Sequence, residues 1–379
     1  MRVRRIHRLA AVAGLVLPLP AAAAPYQPRD ADERGLWMQV DEAERRLQTS
    51  DFVIRDPALN AYVRGVLCRE VGDEACGEAR IYIMRTPYFN ASMAPNGMMQ
   101  VWSGLLLRME NEAQLAAVMG HEFAHYREQH SLRLFRSIRE KSNAAAWLGF
   151  IPFGFVAQLG IGMSMFGFSR DMERDADAKS IDYLVKGGYD PAAATRVWSR
   201  LRDEMDATAA ARKVASRKDK NGGLFATHPP SAERVEALKT LADAQPQAAR
   251  DLGTERYRAA LAPFWTDFFG DQAKLNDFGA SEFLLKQLAD DGWTPQLLFA
   301  RGELYRRRAQ AGDFQAAAGF YRDAIAAGGD GPEIWRGLGL SLIKSGEVER
   351  GRAELKEYLR RAPDAEDRAM MAMLAGDGE

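Results

Sequence analysis

Two of the five histidines in this 379-residue chain stand four residues apart around a glutamate, in His121-Glu122-Phe123-Ala124-His125. On a helix, positions i and i+4 share a face, so the two imidazoles can turn one nitrogen each toward a single ion. Zinc accepts nitrogen at about 2.0–2.1 Å and prefers four tetrahedral ligands. Glu122, next to the first imidazole, is placed to take a proton from a water that the metal acidifies. A catalytic zinc needs a third protein ligand and an open fourth position. The best source is Ser169-Arg170-Asp171-Met172-Glu173-Arg174-Asp175-Ala176-Asp177, where helical spacing sets Glu173 and Asp177 on one face. Glu173 can bind the metal while Asp177 orients a ligand histidine from behind. Alone, this segment would read as an ordinary charged helix surface; beside His-Glu-x-x-His it reads as metal chemistry. His130 reads as a helix-surface residue.

Those residues need elements to hold them. Residues 31–48 read as an amphipathic helix with Leu36, Val40 and Leu47 among its apolar positions. Asp56-Pro57 is an N-cap and first-turn pair opening a helix to about Cys68. Residues 79–84 and 98–102 read as strands, the second entered through the turn Ala94-Pro95-Asn96-Gly97. Asn111 and Gln114 make a capping-box-like start. A helix from about Glu112 to Lys141 then carries the two histidines in its middle.

Composition bounds the rest. Apolar residues make up 47% of the chain and the formal net charge is −1. A core is affordable, and there is no electrostatic footprint for nucleic acid. Residues 1–8 carry four arginines, Leu9–Pro20 is apolar, and Ala21–Ala24 offers a small-residue cleavage site. This is the pattern of a cleaved signal peptide over 1–23, with an apolar core too short to span a bilayer. In an oxidising compartment the only two cysteines, Cys68 and Cys76, are expected to pair.

His121-Glu122-Phe123-Ala124-His125, then Ser169-Arg170 and Glu173-Arg174-Asp175-Ala176-Asp177, resemble the gluzincin peptidases of the HtpX and CAAX-prenyl-protease type. The resemblance covers roughly residues 40–240, with Asn90-Ala91 and the 95–107 stretch similar to the strand before that family's active-site helix. It implies one zinc per chain, with Glu173 as third ligand. It also draws attention to Thr227-His228-Pro229-Pro230 and Arg234, which match the family's further His-Pro motif. His228 is then a gating fourth ligand, a group polarising the scissile carbonyl, or a solvated loop residue before a helix. Arg234 polarises the carbonyl or binds the substrate backbone. The charged loop 216–223 before them reads as mobile. Resemblance to exported, repeat-tailed members implies a periplasmic endopeptidase. Its expected substrates are misfolded or stalled outer-membrane proteins and its expected partner the barrel-assembly machinery; the alternative is chiefly a chaperone or scaffold with a silent zinc site.

Residues 144–168 hold no charged residue. One membrane crossing there would put His125 and Glu173 on opposite sides of the bilayer, so the stretch reads as an apolar hairpin resting on a membrane surface or as a buried helix pair. In the C-terminal third, Trp335, Leu338, Gly339, Leu342, Gly346 and Pro363 fall at tetratricopeptide spacing, and Gly312 and Gly346 stand 34 residues apart. Tyr321 and Ala324 fit the second helix of the earlier repeat, whose first helix fits only with about three extra residues. The expected fold is mainly α (α+β). A zincin-like metallopeptidase domain with a small sheet spans 24–255, and a helical tetratricopeptide-repeat solenoid spans 256–379.

Overall fold

The computed structural model describes residues 27–141, 168–219, 228, 230–246 and 250–377. The signal peptide, the uncharged stretch up to residue 167, the loop from 220 to 227 and Pro229 lie outside the described residues. The fold is mostly helical with one small sheet.

Helix α1 (Ala31–Gln48) buries Leu36, Val40 and Leu47 against the sheet. Strand β1 (Val53–Ile54) leads into α2 (Pro57–Val71), where the Asp56 carboxylate accepts from Leu59 N at 2.8 Å and Pro57 fills the first turn. A short α3 (Asp73–Cys76) is tied to α2 by the Cys68–Cys76 disulfide, with Cα atoms 4.9 Å apart. Strands β2 (Arg80–Met84), β3 (Ala91–Met93) and β4 (Met98–Trp102) complete a sheet in the order β1-β2-β4-β3. β2 and β4 are parallel, Ile83 opposite Val101, while β3 runs antiparallel along the outer edge of β4. Every residue of β4 is buried, as a central strand covered on both faces must be. Gly97 at φ 90° makes the turn into it, and a Cβ there would sit 2.4 Å from the carbonyl oxygen of Glu78.

α4 (Ser103–Arg108) and α5 (Glu112–Arg127) follow. Asn111 caps α5 by accepting from Gln114 N at 3.0 Å, while the Gln114 side chain reaches back to Glu110 N rather than to the cap itself. The single helix expected over 112–141 is in fact two. The chain breaks at Glu128–Gln129, with Gln129 at φ 55° in the left-handed region, and restarts as α6 (His130–Lys141). Sequence pattern missed this because neither residue is a Gly or Pro stop signal.

α7 (Arg170–Lys186) is capped by Ser169 and packs along α5. α8 (Ala192–Ala211) packs on both α5 and α9 (Ala232–Asp243). Then come α10 (Thr254–Leu261), α11 (Trp265–Ala273), α12 (Phe278–Leu288), α13 (Pro295–Arg308), α14 (Asp313–Ala326), α15 (Pro332–Lys344), α16 (Val348–Arg361) and α17 (Arg368–Ala375). One apolar core starts at Leu59 and continues through Tyr257, Phe268, Leu284 and Leu304, so α10–α13 share it with the first domain. A second, smaller core runs from Leu298 to Ala375. The extra residues of the earlier repeat are absorbed in its inter-helix turn, where Ala309 and Gly312 both have positive φ.

Candidate metal centre

α5 is buried along all but its last residue, so His121, Glu122 and His125 project into the interior and not onto a surface. Its neighbour α7 brings Glu173 and Asp177 to the same point, and His228 arrives from the segment before α9. His121 Nε2 lies 3.0 Å from His125 Nε2 and 3.2 Å from His228 Nδ1. Glu173 Oε1 is 2.9 Å from His228 Nδ1 and 3.5 Å from His125 Nε2. One donor atom from each of the four residues lies within 4.8 Å of the other three.

Four ligands at zinc distances on a tetrahedron stand about 3.3 Å apart, close to these separations. Imidazole lone pairs aimed at one another this closely repel unless a proton or a cation lies between them. Three nitrogens and a carboxylate oxygen are a donor set suited to zinc. The residues therefore fit a four-coordinate ion.

Behind the donors, His121 Nδ1 is 3.0 Å from Asp177 Oδ1. Asp177 in turn accepts from Arg234 Nη2 at 2.6 Å and Nε at 2.8 Å, and the guanidinium lies 3.7 Å from the centre of the Trp198 ring. The free Arg234 Nη1 is 3.5 Å from Glu173 Oε2. Arg234 was expected at the substrate, but it is buried and its fork is engaged by Asp177. Glu122 Oε1 is 3.5 Å from His228 Nε2.

The expectation that His130 lies on a helix surface is wrong. It is 1% exposed, with Nδ1 2.9 Å from His125 Nδ1. Had one helix continued through 128–129, position 130 would point well away from His125; the break turns it back. Phe168 stacks on His125 at 4.0 Å and 18°. Neither Trp198 nor Phe168 carried a signal in the sequence, since an aromatic at helical spacing reads first as core.

Burial shapes the charges. Burial raises the Glu122 carboxyl above the ordinary glutamate range, against the pull of His228 and His121. Glu173 is also buried, yet His228 and His121 overcome burial and hold it far below that range. Burial and Arg234 press His121 downward, but Asp177 and Glu173 outweigh them and push it up to about 9. Burial, then His121 and His228, depress His125. A metal ligand must be an unprotonated imidazole nitrogen, so binding a cation here competes with protonation of the cluster.

A helix-borne His-Glu-x-x-His facing a glutamate on the adjacent helix, beside a small mixed sheet, offers the two-histidine, one-glutamate donor set that a metallopeptidase of the glutamate-liganded class requires. Residues 72–242 match the profile of Peptidase family M48, and residues 308–374 match that of a tetratricopeptide repeat. The chain thus carries an M48 peptidase domain followed by a repeat domain. It is 29% identical over 210 residues to a putative beta-barrel assembly-enhancing protease of Vibrio cholerae, covering 52% of this chain and 41% of that one. It is 30% identical over 184 residues to the mitochondrial metalloendopeptidase OMA1 of Schizosaccharomyces pombe, covering 47% and 51%. Against the beta-barrel assembly-enhancing protease of Escherichia coli it is 27% identical over 187 residues, covering 45% and 38%. The chain spans about half or less of the length of these relatives.

Proposed function

We propose that this protein is a zinc-dependent endopeptidase, exported to the periplasm, that cleaves misfolded or stalled outer-membrane proteins. The observation that carries the catalytic part is the convergence of four buried donors, from His121, His125, Glu173 and His228, beside the carboxylate of Glu122. Bound there, zinc supplies a Lewis acid that acidifies a water and polarises a carbonyl. Glu122 takes the proton from the attacking water and passes it to the leaving amine, a role suited to a carboxyl whose pKa burial has raised. Asp177 fixes the tautomer of His121 by accepting from its Nδ1–H, and Arg234 holds Asp177 in place. Arg234 is therefore a positioning residue in this reading.

His228 is the resting fourth ligand. Its Nδ1 sits among the other donors, which supports a capped state over a role at the substrate carbonyl. An imidazole in that place excludes the attacking water, so the enzyme rests closed, and this favours a chaperone-like resting role as the second reading. In this scheme 24–255 is the peptidase domain and 256–379 the repeat domain, whose first helices α10–α13 pack into the peptidase core, so the chain boundary between the two is not a boundary between cores. The substrate class and a barrel-assembly partner rest on the similarity to beta-barrel assembly-enhancing proteases and on the repeat tail. Among the described residues no helix is long and apolar enough to cross a membrane; the stretch 144–168 is left as a candidate for peripheral membrane contact.

The test is metal analysis beside a casein-type assay. The protein should hold about one zinc, and Glu122→Gln should keep it while losing about 10²–10⁴-fold in proteolysis. Full activity in that variant would sink the mechanism.

A further inference from the structure

His121 and His125 are oriented by different means. His121 turns Nε2 to the donor cluster and its Nδ1 meets a carboxylate, Asp177, directly. His125 also turns Nε2 to the cluster, 3.0 Å from His121 Nε2 and 3.5 Å from Glu173 Oε1. Among the described residues its Nδ1 meets no carboxylate; it meets His130 Nδ1 at 2.9 Å, with the two rings steeply inclined at 71°. The far nitrogen of His130, Nε2, faces Asp175 Oδ2 at 3.4 Å.

We infer that His130 is a positioning residue for the metal centre, the middle member of a chain running from His125 through His130 to Asp175. The inference rests on the metal-centre reading above. The tautomers follow from geometry. A neutral imidazole that offers the Nε2 lone pair to a cation carries its hydrogen on Nδ1. That Nδ1–H of His125 then donates to His130 Nδ1, which must be unprotonated. The hydrogen of His130 is left on Nε2, directed at Asp175. An acceptor behind a ligand histidine fixes its ring and makes it a stronger donor to the metal. Here an imidazole takes the place that a carboxylate takes behind His121. The left-handed residue Gln129 makes this possible by aiming the first residue of α6 back at His125.

The test is zinc affinity of the full-length mature protein, measured by competition with a chromogenic chelator. His130→Phe keeps a flat ring but removes the acceptor, and should weaken zinc binding about 10–100-fold. His130→Asn places an amide oxygen where Nδ1 stands and should recover most of the loss. Asp175→Asn should give a smaller loss in the same direction. Thermal unfolding of the metal-free variants controls for folding. If His130→Phe binds zinc as the wild type does, the chain of three is overturned. If His130→Asn is as weak as His130→Phe, His130 acts by packing alone and the inference is equally overturned. A wild-type protein that holds no zinc would remove the metal-centre reading itself, a result distinct from both.

Discussion

The peptidase core and the repeat tail bury opposite kinds of side chain. At the centre of the core, Glu122, Glu173, Asp177, Arg234 and four histidines are all buried. The centre of the tail is Tyr321, Leu338, Leu342, Leu355 and Ala324, with its charges set around that apolar centre in one-to-one pairs such as Arg308–Asp313 and Arg336–Asp367. Burying charge is unfavourable unless every group finds a partner. The core therefore holds its site in place at the expense of stability, and its sheet and long buried helix α5 must supply the difference. The tail needs only neighbour-to-neighbour apolar stacking. Activity changes should come from the first region and local unfolding from the second.

After loss of the Glu122 base, the largest expected effect is at His228. If it caps the metal, His228→Ala raises basal proteolysis and leaves zinc bound through His121, His125 and Glu173. If it instead stabilises the developing oxyanion, the same change lowers the rate by about 10²–10³-fold. One peptidase assay on that variant reads the sign, and an unchanged rate would discard both roles.

A change in the tail should leave the site untouched. Tyr321 is fully buried between α13 and α15, where a Cβ on Gly302 or Gly337 would strike its ring, and its hydroxyl donates to Glu303 at 2.6 Å. Tyr321→Ala should destabilise the repeats by about 3–5 kcal/mol, as truncation of a buried aromatic does. Limited proteolysis should then cut the tail while zinc content is retained. Loss of zinc would show that core and tail unfold as one unit, and the contrast between them would fail.

The contrast was partly legible in the sequence. His121, Glu122 and His125 declare themselves because one spacing forces one face, and Glu173 and Asp177 follow once a third ligand is required. The repeat tail was visible through its period, and β2 and β4 through their apolar runs. What stayed hidden depends on contacts between distant segments. β1 and β3 are two and three residues long and take their form from the strands beside them. The break at Gln129 leaves no compositional trace, and with it went the position of His130. Trp198 beneath Arg234 is an ordinary core aromatic until the fold brings α8 under α9.

The disulfide offers a mid-sized effect inside the core. Cys68→Ser with Cys76→Ser should lower stability by about 2–3 kcal/mol, because the short loop between α2 and α3 gains freedom only in the unfolded chain. Denaturant unfolding with and without reductant checks it; equal midpoints would show that the bond contributes nothing.

The smallest expected effect concerns a second buried carboxyl, one with no partner among the described residues. Glu70 on α2 is 0% exposed, and neither side-chain oxygen has a hydrogen-bond partner. It lies against α5, close enough that a Cβ on Gly120 would come within 2.8 Å of Oε2. Burial raises its pKa well above the ordinary 4.5, so the fold favours its neutral form. In the unfolded chain it ionises from about pH 4.5 upward. Its contribution is therefore most favourable below that pH and is lost as pH rises toward the folded value. Asp177 runs the other way. Burial opposes its charge, but Arg234 and His121 hold its pKa below the usual range, so its stabilisation is present at neutral pH and lost in acid. Glu70→Gln removes the first slope and leaves the second. Metal-chelated protein unfolded in urea from pH 5 to pH 8 should show the variant gaining on the wild type as pH rises, by about 1–3 kcal/mol at most. Parallel curves across that range would mean that Glu70 finds a partner and stays charged in the fold. The buried charges of the core would then be fully paired, and the core would differ from the tail only in where its ion pairs lie.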